Sequence, residues 1–587
     1  MAKWLLTTKR ADFQAIGEKY NIHPVTARII RNRDVIEDED IRLYLNGGKE
    51  DLFHPGLLKD AKKMIQILQQ KIAEEKSIQV IGDYDIDGVM ATYVLVTGLR
   101  RCGAKVSTQI PDRIHDGYGL NRQLIEKAKA DGVDTIVTCD NGIAALQEIA
   151  YAKELGMTVL ITDHHAIPYE ETDGVRVYKS SVADAIVNPH QADCPYPFKE
   201  LCGAAVAWKV ICLLYEAYGI SQEEADVFLE NVGFATIGDV MPLKGENRIL
   251  VKEGLKRIHK TKNPGMRALI AQCELSPEQI TAGRIGFRLG PCINASGRLD
   301  TAKRSLELFF QTEMDQAVRI ANELVTLNNE RKALTEEGVE QAVAYYEEHN
   351  CKDDKVIVIY LPEVHESIAG IIAGRIRERY YKPTFILTKS EDGNAKGSGR
   401  SIEEYSMYEE MCKCQELFSK FGGHPMAAGL SLPLENIAIF REKINAVCTL
   451  TEADLTEKIR IDVDMPMDYA YPELIEEFSV LEPFGKDNPR PVFADKGLRV
   501  KRIWTLGKNN DTLKFEFLTR RGICVYGLRF RDRDNVVAYL EQKFGKEQVE
   551  AAFYGKPNTI ELSVIYNPEI NHFRGVDTVQ FIVEHYQ

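Results

Sequence analysis

Four short segments carry acids and imidazoles in a pattern suited to metal chemistry. They are Gly82-Asp83-Tyr84-Asp85-Ile86-Asp87-Gly88, Cys139-Asp140-Asn141-Gly142, Thr162-Asp163-His164-His165 and Gly238-Asp239. Carboxylates packed together repel one another and hold their protons unless a cation neutralises them. Carboxylates joined by one or two imidazoles suit Mg²⁺ or Mn²⁺, with the imidazoles tilting the choice toward Mn²⁺. Two such ions about 3.5–4 Å apart are a common arrangement for phosphoester hydrolysis, because they activate a water, hold the phosphate and neutralise the leaving oxygen. Taken singly, each segment has a plainer reading. Asp-x-Asp-x-Asp-Gly resembles part of a calcium loop, but the closing Glu is missing, since the twelfth residue from Asp83 is Val94. Asp-Asn-Gly is a common turn, and Asp-His-His can cap a helix. The combination points to a metal site because the first three segments each follow directly on a short apolar run.

Those runs are the elements that must position the acids. Buried strands are expected at Ile78–Gly82, Lys105–Ile110, Thr135–Cys139, Thr158–Thr162 and Ala185–Val187, with helices at Gly88–Arg101, Asn121–Ala130 and Ala144–Leu155 separating the first four. Such alternation argues for a doubly wound, mostly parallel α/β sheet. In such a sheet the carboxyl ends of the strands line one crevice, where distant segments converge. The rest of the chain divides into a helical segment over residues 1–55 before the sheet domain of 56–240, a helical connector over 241–350, a second, smaller α/β domain over 351–457 and a β-rich region over 458–587. Six short strands in that last region, Lys458–Val463, Pro491–Phe493, Val500–Leu506, Thr512–Leu518, Gly522–Phe530 and Thr559–Tyr566, suggest a small antiparallel barrel.

Composition sets the outer limits. Lys plus Arg number 74 and Asp plus Glu 88, a net charge of −14, which excludes a uniformly basic nucleic-acid coat but not a local basic channel. At 44% apolar and 28% charged residues the chain is globular, neither disordered nor fibrous. Twelve scattered cysteines, the closest pair being Cys412 and Cys414, read as reduced buried thiols rather than a zinc site. The amino terminus turns polar too soon for a signal peptide, and no apolar run approaches the roughly 18 residues of a membrane span. A soluble, cytoplasmic protein with no membrane association is expected.

The four acid segments resemble the motifs of the DHH phosphoesterase superfamily. The resemblance implies two divalent ions, Mn²⁺ or Mg²⁺, on Asp85, Asp87, Asp140, His164 and Asp239, with Asp140 bridging, Asp83 a weaker ligand and His165 contacting the scissile phosphate, where it can act as an acid. Some relatives carry a metal-binding His where this chain has Ile81, so Asp83 or water is expected to fill that place. Phe421-Gly422-Gly423-His424 and Lys396-Gly397-Ser398-Gly399-Arg400 resemble the domain that accompanies DHH domains. Phe287 to Leu299, Pro111-Asp112-Arg113 with Gly117-Tyr118-Gly119, His365-Glu366-Ser367 and Leu481-Glu482-Pro483-Phe484-Gly485 are similar to RecJ-type exonucleases, although Val364 stands where these usually have Trp. That likeness implies phosphate contacts from Arg113, Asn294, Arg298, Ser398 and Arg400, with His424 beside them. Read from the residues alone, Arg298 could instead pair with Asp300, and His424 could be a packed core histidine.

The likeness covers nearly the whole chain and makes the β-rich end an oligonucleotide-binding (OB) fold. Its candidate stacking aromatics are Trp504, Phe515, Phe517, Tyr526 and Phe530, although most aromatics of a small barrel are core, and Lys501, Arg502, Lys508, Arg520 and Arg521 supply positive charge. The implied activity is 5′→3′ exonuclease action on single-stranded DNA, releasing 5′-mononucleotides in recombination and repair. Single-strand-binding protein and a helicase are candidate partners, and the oligomeric state stays open, since a chain of this size with its own DNA-binding domain could work alone. Two rivals remain: a phosphodiesterase of short oligonucleotides or cyclic dinucleotides, and a catalytically dead DNA-binding scaffold.

Overall fold

The computed structural model describes all residues except 1, 113–118, 173–174, 350, 391–392 and 574–575. The chain forms two compact units, Gly48–Glu457 and a second made of Met1–Gly47 with Lys458–Gln587.

The first unit is built on five parallel strands: β1 (Ser77–Ile81), β2 (Lys105–Gln109), β3 (Thr135–Cys139), β4 (Thr158–Thr162) and β5 (Ala185–Val187), in the order β2-β1-β3-β4-β5. Successive side chains of a strand point to opposite faces, and here both faces are covered. Ile78, Val80, Val137 and Leu160 pack with the helices Ile86–Arg101 and Gly203–Tyr218. Ile81, Ile136, Val159 and Ile161 pack with Arg122–Ala130 and Leu146–Glu154. Two-sided burial is why these strands read as continuous apolar runs. The chain runs outward from β1 to β2 and then crosses back to β3, so the strand order reverses between β1 and β3. That is where an open α/β sheet offers its crevice. An antiparallel ribbon, Tyr169–Thr172 with Val175–Tyr178, lies outside the expected elements.

Helices follow, ending in the 35-residue Met314–Glu348. It is preceded by the helix Lys303–Phe310, from which residues 311–313 separate it. The second sheet has β6 (Ile357–Tyr360), β7 (Thr384–Lys389), β8 (Ala395–Arg400), β9 (Lys420–His424) and β10 (Ala427–Leu432) in the order β9-β10-β8-β7-β6. Only the β6–β7 pair is parallel.

In the other unit, residues 1–47 of the expected N-terminal helical segment 1–55 are bound into the C-terminal core. Lys3–Leu6 pairs in parallel with Lys458–Ile461. Ile29, Ile30, Ile41 and Tyr44 are buried with Val463, Met467 and Leu481. Arg33 meets the buried Asp462 at 2.6 Å, and the Tyr44 hydroxyl donates to Asn488 at 2.8 Å. The barrel itself is a closed ring: β11 (Phe493–Leu506), β12 (Thr512–Leu518), β13 (Cys524–Arg529), β14 (Glu561–Phe573) and β15 (Val576–Tyr586). Strand β11 pairs with both β12 and β14, and β13 closes on β15, which pairs with β14. The β13–β15 contact is parallel, which corrects the wholly antiparallel expectation. The two expected strands Pro491–Phe493 and Val500–Leu506 are one 14-residue strand, kinked by register shifts at 495/498 and 500/502. Such bulges bend a strand into a barrel, and Gly497 supplies the positive φ of 69° at the first. Strand β15 and the helices Arg533–Phe544 and Lys546–Phe553 were not expected.

Candidate metal centre

The segment after β1 is folded by its own carboxylates. Asp85 caps the helix Ile86–Arg101: its Oδ1 accepts from the N–H groups of Asp87 at 2.9 Å and Gly88 at 3.1 Å, leaving Oδ2 for a cation. Asp87 lies wholly buried at the N-terminus of Gly203–Tyr218, where Gly203 N–H donates to Oδ2 at 2.6 Å and Ala204 N–H to Oδ1 at 2.8 Å. Asp140, directly after β3, takes a left-handed backbone with φ 59°, a strained conformation for a residue with a side chain. Gly203 permits its close approach, since a Cβ there would lie 2.7 Å from Asp140 Cβ. Asn141 ties the two strand ends together by donating to the carbonyls of Ile81 at 3.1 Å and Cys139 at 2.9 Å.

Behind β4, Asp163 acts as a hub that sequence reasoning quoted but gave no role. Its carboxylate accepts from the N–H groups of Ile143, His164 and His165 at 2.9, 2.7 and 3.1 Å, and contacts His165 Nδ1 at 2.7 Å. The half-buried Asp239 ends the helix Leu229–Gly238 and completes the set. His164 Nε2 lies 3.0 Å from Asp140, 3.6 Å from Asp87 and 3.7 Å from Asp239. Ligand-capable atoms fall into close sets: Asp87 with His164 and Asp239, Asp83 with Asp85 and Asp140, and Asp140 with His164 and His165. Asp140 thus belongs with both the His164 side and the Asp83 side, as a bridge between two ions requires.

The electrostatics show that this donor set fits divalent cations. Burial, then the charge of Asp85, raises Asp83 well above the ordinary carboxylate range, and burial, then Asp87, raises Asp85. Asp140 is raised well above its range by burial and by Asp87, Asp85, Asp239 and Asp83 in turn. Among the described residues no group hydrogen-bonds the buried Asp83 oxygens in full geometry, and the nearby Tyr84 and Gly119 backbone N–H groups only partly offset their burial. A cation would relieve each of these penalties. Ile81, where some relatives have a ligating His, is a fully buried core residue, and Asp83 stands in that neighbourhood. Burial lowers the His164 pKa and so favours the neutral, ligating imidazole. For His165 burial acts the same way, but hydrogen bonding and charge from Asp163 outweigh it and raise the pKa to about 9. Asn188, which directly follows β5, holds the His165 carbonyl through Nδ2 at 2.9 Å and was not anticipated, although it follows its strand as the other site residues follow theirs.

The residues expected on phosphates are placed unevenly. Arg113 lies outside the described residues. Asn294 Oδ1 accepts the Ile86 N–H at 2.9 Å, so this side chain braces the helix after β1. Arg298 reaches beyond Asp300, which is held by Arg304 at 2.6 Å. It donates to the Ser367 carbonyl at 2.7 Å, joining the helix Gly290–Leu299 to the second α/β domain. Ser398 and Arg400 lie on β8, and the Arg400 guanidinium lies against Gly370, where a Cβ would come within 2.8 Å of it. His424 ends β9 exposed, so the packed-core reading of it fails.

On the barrel, Phe515 and Phe517 are core residues stacked on each other. Trp504, Lys514 and Tyr526 lie on the outer face, with Lys514 Nζ 4.4 Å from the Tyr526 ring and Arg502 5.0 Å from the Trp504 ring. Phe530 is 51% exposed, and Lys501 is paired with Glu516 at 2.9 Å.

A parallel α/β sheet whose strand ends gather acids and two histidines defines a metal-dependent phosphoesterase of the DHH type. Family models agree in order along the chain: the DHH family N-terminal domain over residues 77–231, the DHHA1 domain over 353–450 and the RecJ OB domain over 461–585. The chain is 34% identical to the single-stranded-DNA-specific exonuclease RecJ of Bacillus subtilis over 85% of its length, and spans 62% of that relative. It is 31% identical to RecJ of Dickeya dadantii, covering 95% of each chain. It superposes on RecJ from Thermus thermophilus in complex with Mn²⁺ with a TM-score of 0.81 at 25% identity, covering all of this chain and 79% of that one. The chain belongs to the RecJ family. Among the described residues no helix is long and apolar enough to cross a membrane.

Proposed function

We infer that the chain is a single-strand-specific DNA exonuclease that works 5′→3′ and releases 5′-mononucleotides. The observation that supports this most directly is the convergence of Asp83, Asp85, Asp87, Asp140, His164 and Asp239, with Asp140 between two sets of ligand atoms. Two bound divalent ions would lower the pKa of the attacking water and balance charge on the phosphate. Asp163 fixes the His165 ring and keeps it protonated near neutral pH, so His165 can donate to the scissile phosphate and its leaving oxygen. Arg298, Ser398 and Arg400 frame the path of the strand behind the scissile bond, where phosphate contacts give grip without sequence preference. The outer barrel face, with Trp504, Tyr526, Lys514 and Arg502, supplies stacking and charge for the incoming strand. We place the enzyme in the cytoplasm as a monomer acting in recombination and repair, where a helicase supplies single strands and a single-strand-binding protein covers them.

The test uses single strands of about 40 nucleotides, longer than the site of one OB fold, labelled at either end, and a duplex, each with Mn²⁺, Mg²⁺ or EDTA. The 5′ label should appear at once as a mononucleotide while the 3′-labelled strand shortens progressively and the duplex survives. Binding without cleavage in either metal would replace this reading with the scaffold one.

A further inference from the structure

Two thiols meet beside the catalytic region with no part in the proposed hydrolysis. Cys273 Sγ and Cys292 Sγ lie 3.8 Å apart, both buried. Cys273 ends the helix Pro264–Gln272, and Cys292 sits in the first turn of Gly290–Leu299. A disulfide needs S–S near 2.05 Å, so closing the bond moves one sulfur by about 1.8 Å. The surroundings distinguish the two sulfurs. The Arg288 guanidinium donates to the Cys273 carbonyl at 2.5 Å. The Cys273 thiol is held below the usual thiol range by its hydrogen bond with Cys292, aided by the charges of Arg288 and Lys332. That same hydrogen bond, with burial, pushes the Cys292 thiol up. Pro291, next to Cys292, and Lys332, whose charge acts on Cys273, line an open cleft of about 600 Å³.

The helix that carries Cys292 also touches the metal centre and the second domain. Asn294 holds the Ile86 N–H, and Arg298 holds the Ser367 carbonyl. Gly297 packs against the Tyr84 carbonyl so closely that a Cβ there would come within 2.4 Å. A movement at position 292 therefore reaches the acids after β1 without any contact between the thiols and the strand.

We propose that Cys273 and Cys292 form a hydroperoxide-reactive pair whose oxidation to an intrachain disulfide displaces the helix Gly290–Leu299 and slows cleavage. In the first step the Cys273 thiolate attacks the peroxide oxygen and the O–O bond breaks. The leaving oxygen departs as an alcohol, or as water from hydrogen peroxide, once it takes up a proton, and Cys273 becomes a sulfenic acid. Cys292 sulfur then attacks Cys273 sulfur, the S–O bond breaks, and the hydroxide leaves as water with the Cys292 proton. Two thiols are oxidised and one peroxide is reduced. A thiol reductant reverses the change by exchange.

The test treats metal-free, full-length protein with hydrogen peroxide, removes the peroxide, maps the peptides, and then measures cleavage of a 3′-labelled strand after adding Mn²⁺. The linked Cys273–Cys292 peptide should accumulate ahead of oxidation at Cys412 or the exposed Cys524. The initial rate should fall roughly ten- to a hundredfold, the range expected for displacements of this size near a reacting centre, and recover with thiol reductant. Cys273→Ser should cleave like the parent before peroxide and keep that rate after it, and Cys292→Ala provides a second variant should the first fold poorly. The proposal is overturned if the linked peptide is absent while Cys412 and Cys524 oxidise, if it forms without a change in rate, or if both variants lose rate like the parent. The untreated rate tests the nuclease reading separately, and the peptide map does not depend on it.

Discussion

The metal centre and the outer face of the barrel handle charge in opposite ways. At the centre, Asp87 is buried and fixed by backbone donors, while burial and then neighbouring charge raise the pKa values of Asp83, Asp85 and Asp140. On the barrel, Lys514 lies over the exposed ring of Tyr526 and Arg502 over the half-buried ring of Trp504, and few hydrogen bonds fix them. The first arrangement suits chemistry, which needs groups held in place before the substrate arrives. The second suits a strand of any sequence, because every base has a face to stack and every nucleotide a phosphate to neutralise. If this contrast is right, damage to the centre should remove turnover and spare binding, and damage to the barrel face should do the reverse.

The largest effect is expected from Asp140→Ala. Losing the bridge should cut the cleavage rate by at least roughly 10³-fold, several kcal/mol of transition-state stabilisation, while a fluorescent single strand binds about as before. Asp163→Asn should come next. It contacts neither ion in this account, but it would free His165 and loosen the β4 loop, for a loss of roughly 10- to 100-fold, as with partners that orient metal ligands. Single-turnover rates at saturating Mn²⁺ would show this as a fall in the chemical step. On the barrel, Trp504→Ala or Tyr526→Ala should each weaken single-strand binding by about 1–3 kcal/mol. Titrations of long strands should show the loss, cleavage of a trinucleotide should be spared, and a similar loss on the trinucleotide would break the contrast. The smallest effect is expected from Lys514→Ala, which should reduce the slope of log K against log salt by about 0.7, the value for one phosphate contact on a single strand.

The catalytic sheet was legible because its strands are buried on both faces. Apolar runs such as Thr135–Cys139 leave little choice of element, and the acids sit one residue beyond. The barrel was less legible because its organisation lies in long-range register. Nothing local in Phe493–Leu506 shows that it must bend at Gly497 to pair with two partners, nor that the helices of residues 13–46 bury Ile29 and Tyr44 beneath strands more than 400 residues later. Roles within the site were legible by residue type and less so by partner. Asp and His in the four motifs pointed to metal chemistry, whereas the bracing of Ile86 by Asn294 was not legible, because a side-chain amide can serve many partners equally well. Asp163 stood in plain view inside its motif, but only the fold shows four donors turned toward it.

The central claim is that these carboxylates and imidazoles hold two ions bridged by Asp140, and Mn²⁺ titration followed by electron paramagnetic resonance tests it most directly. Two Mn²⁺ per chain should bind with a spin-coupled spectrum, and Asp140→Ala should abolish the coupling together with cleavage. A single uncoupled Mn²⁺ at saturation, or undiminished cleavage by Asp140→Ala, would contradict the account.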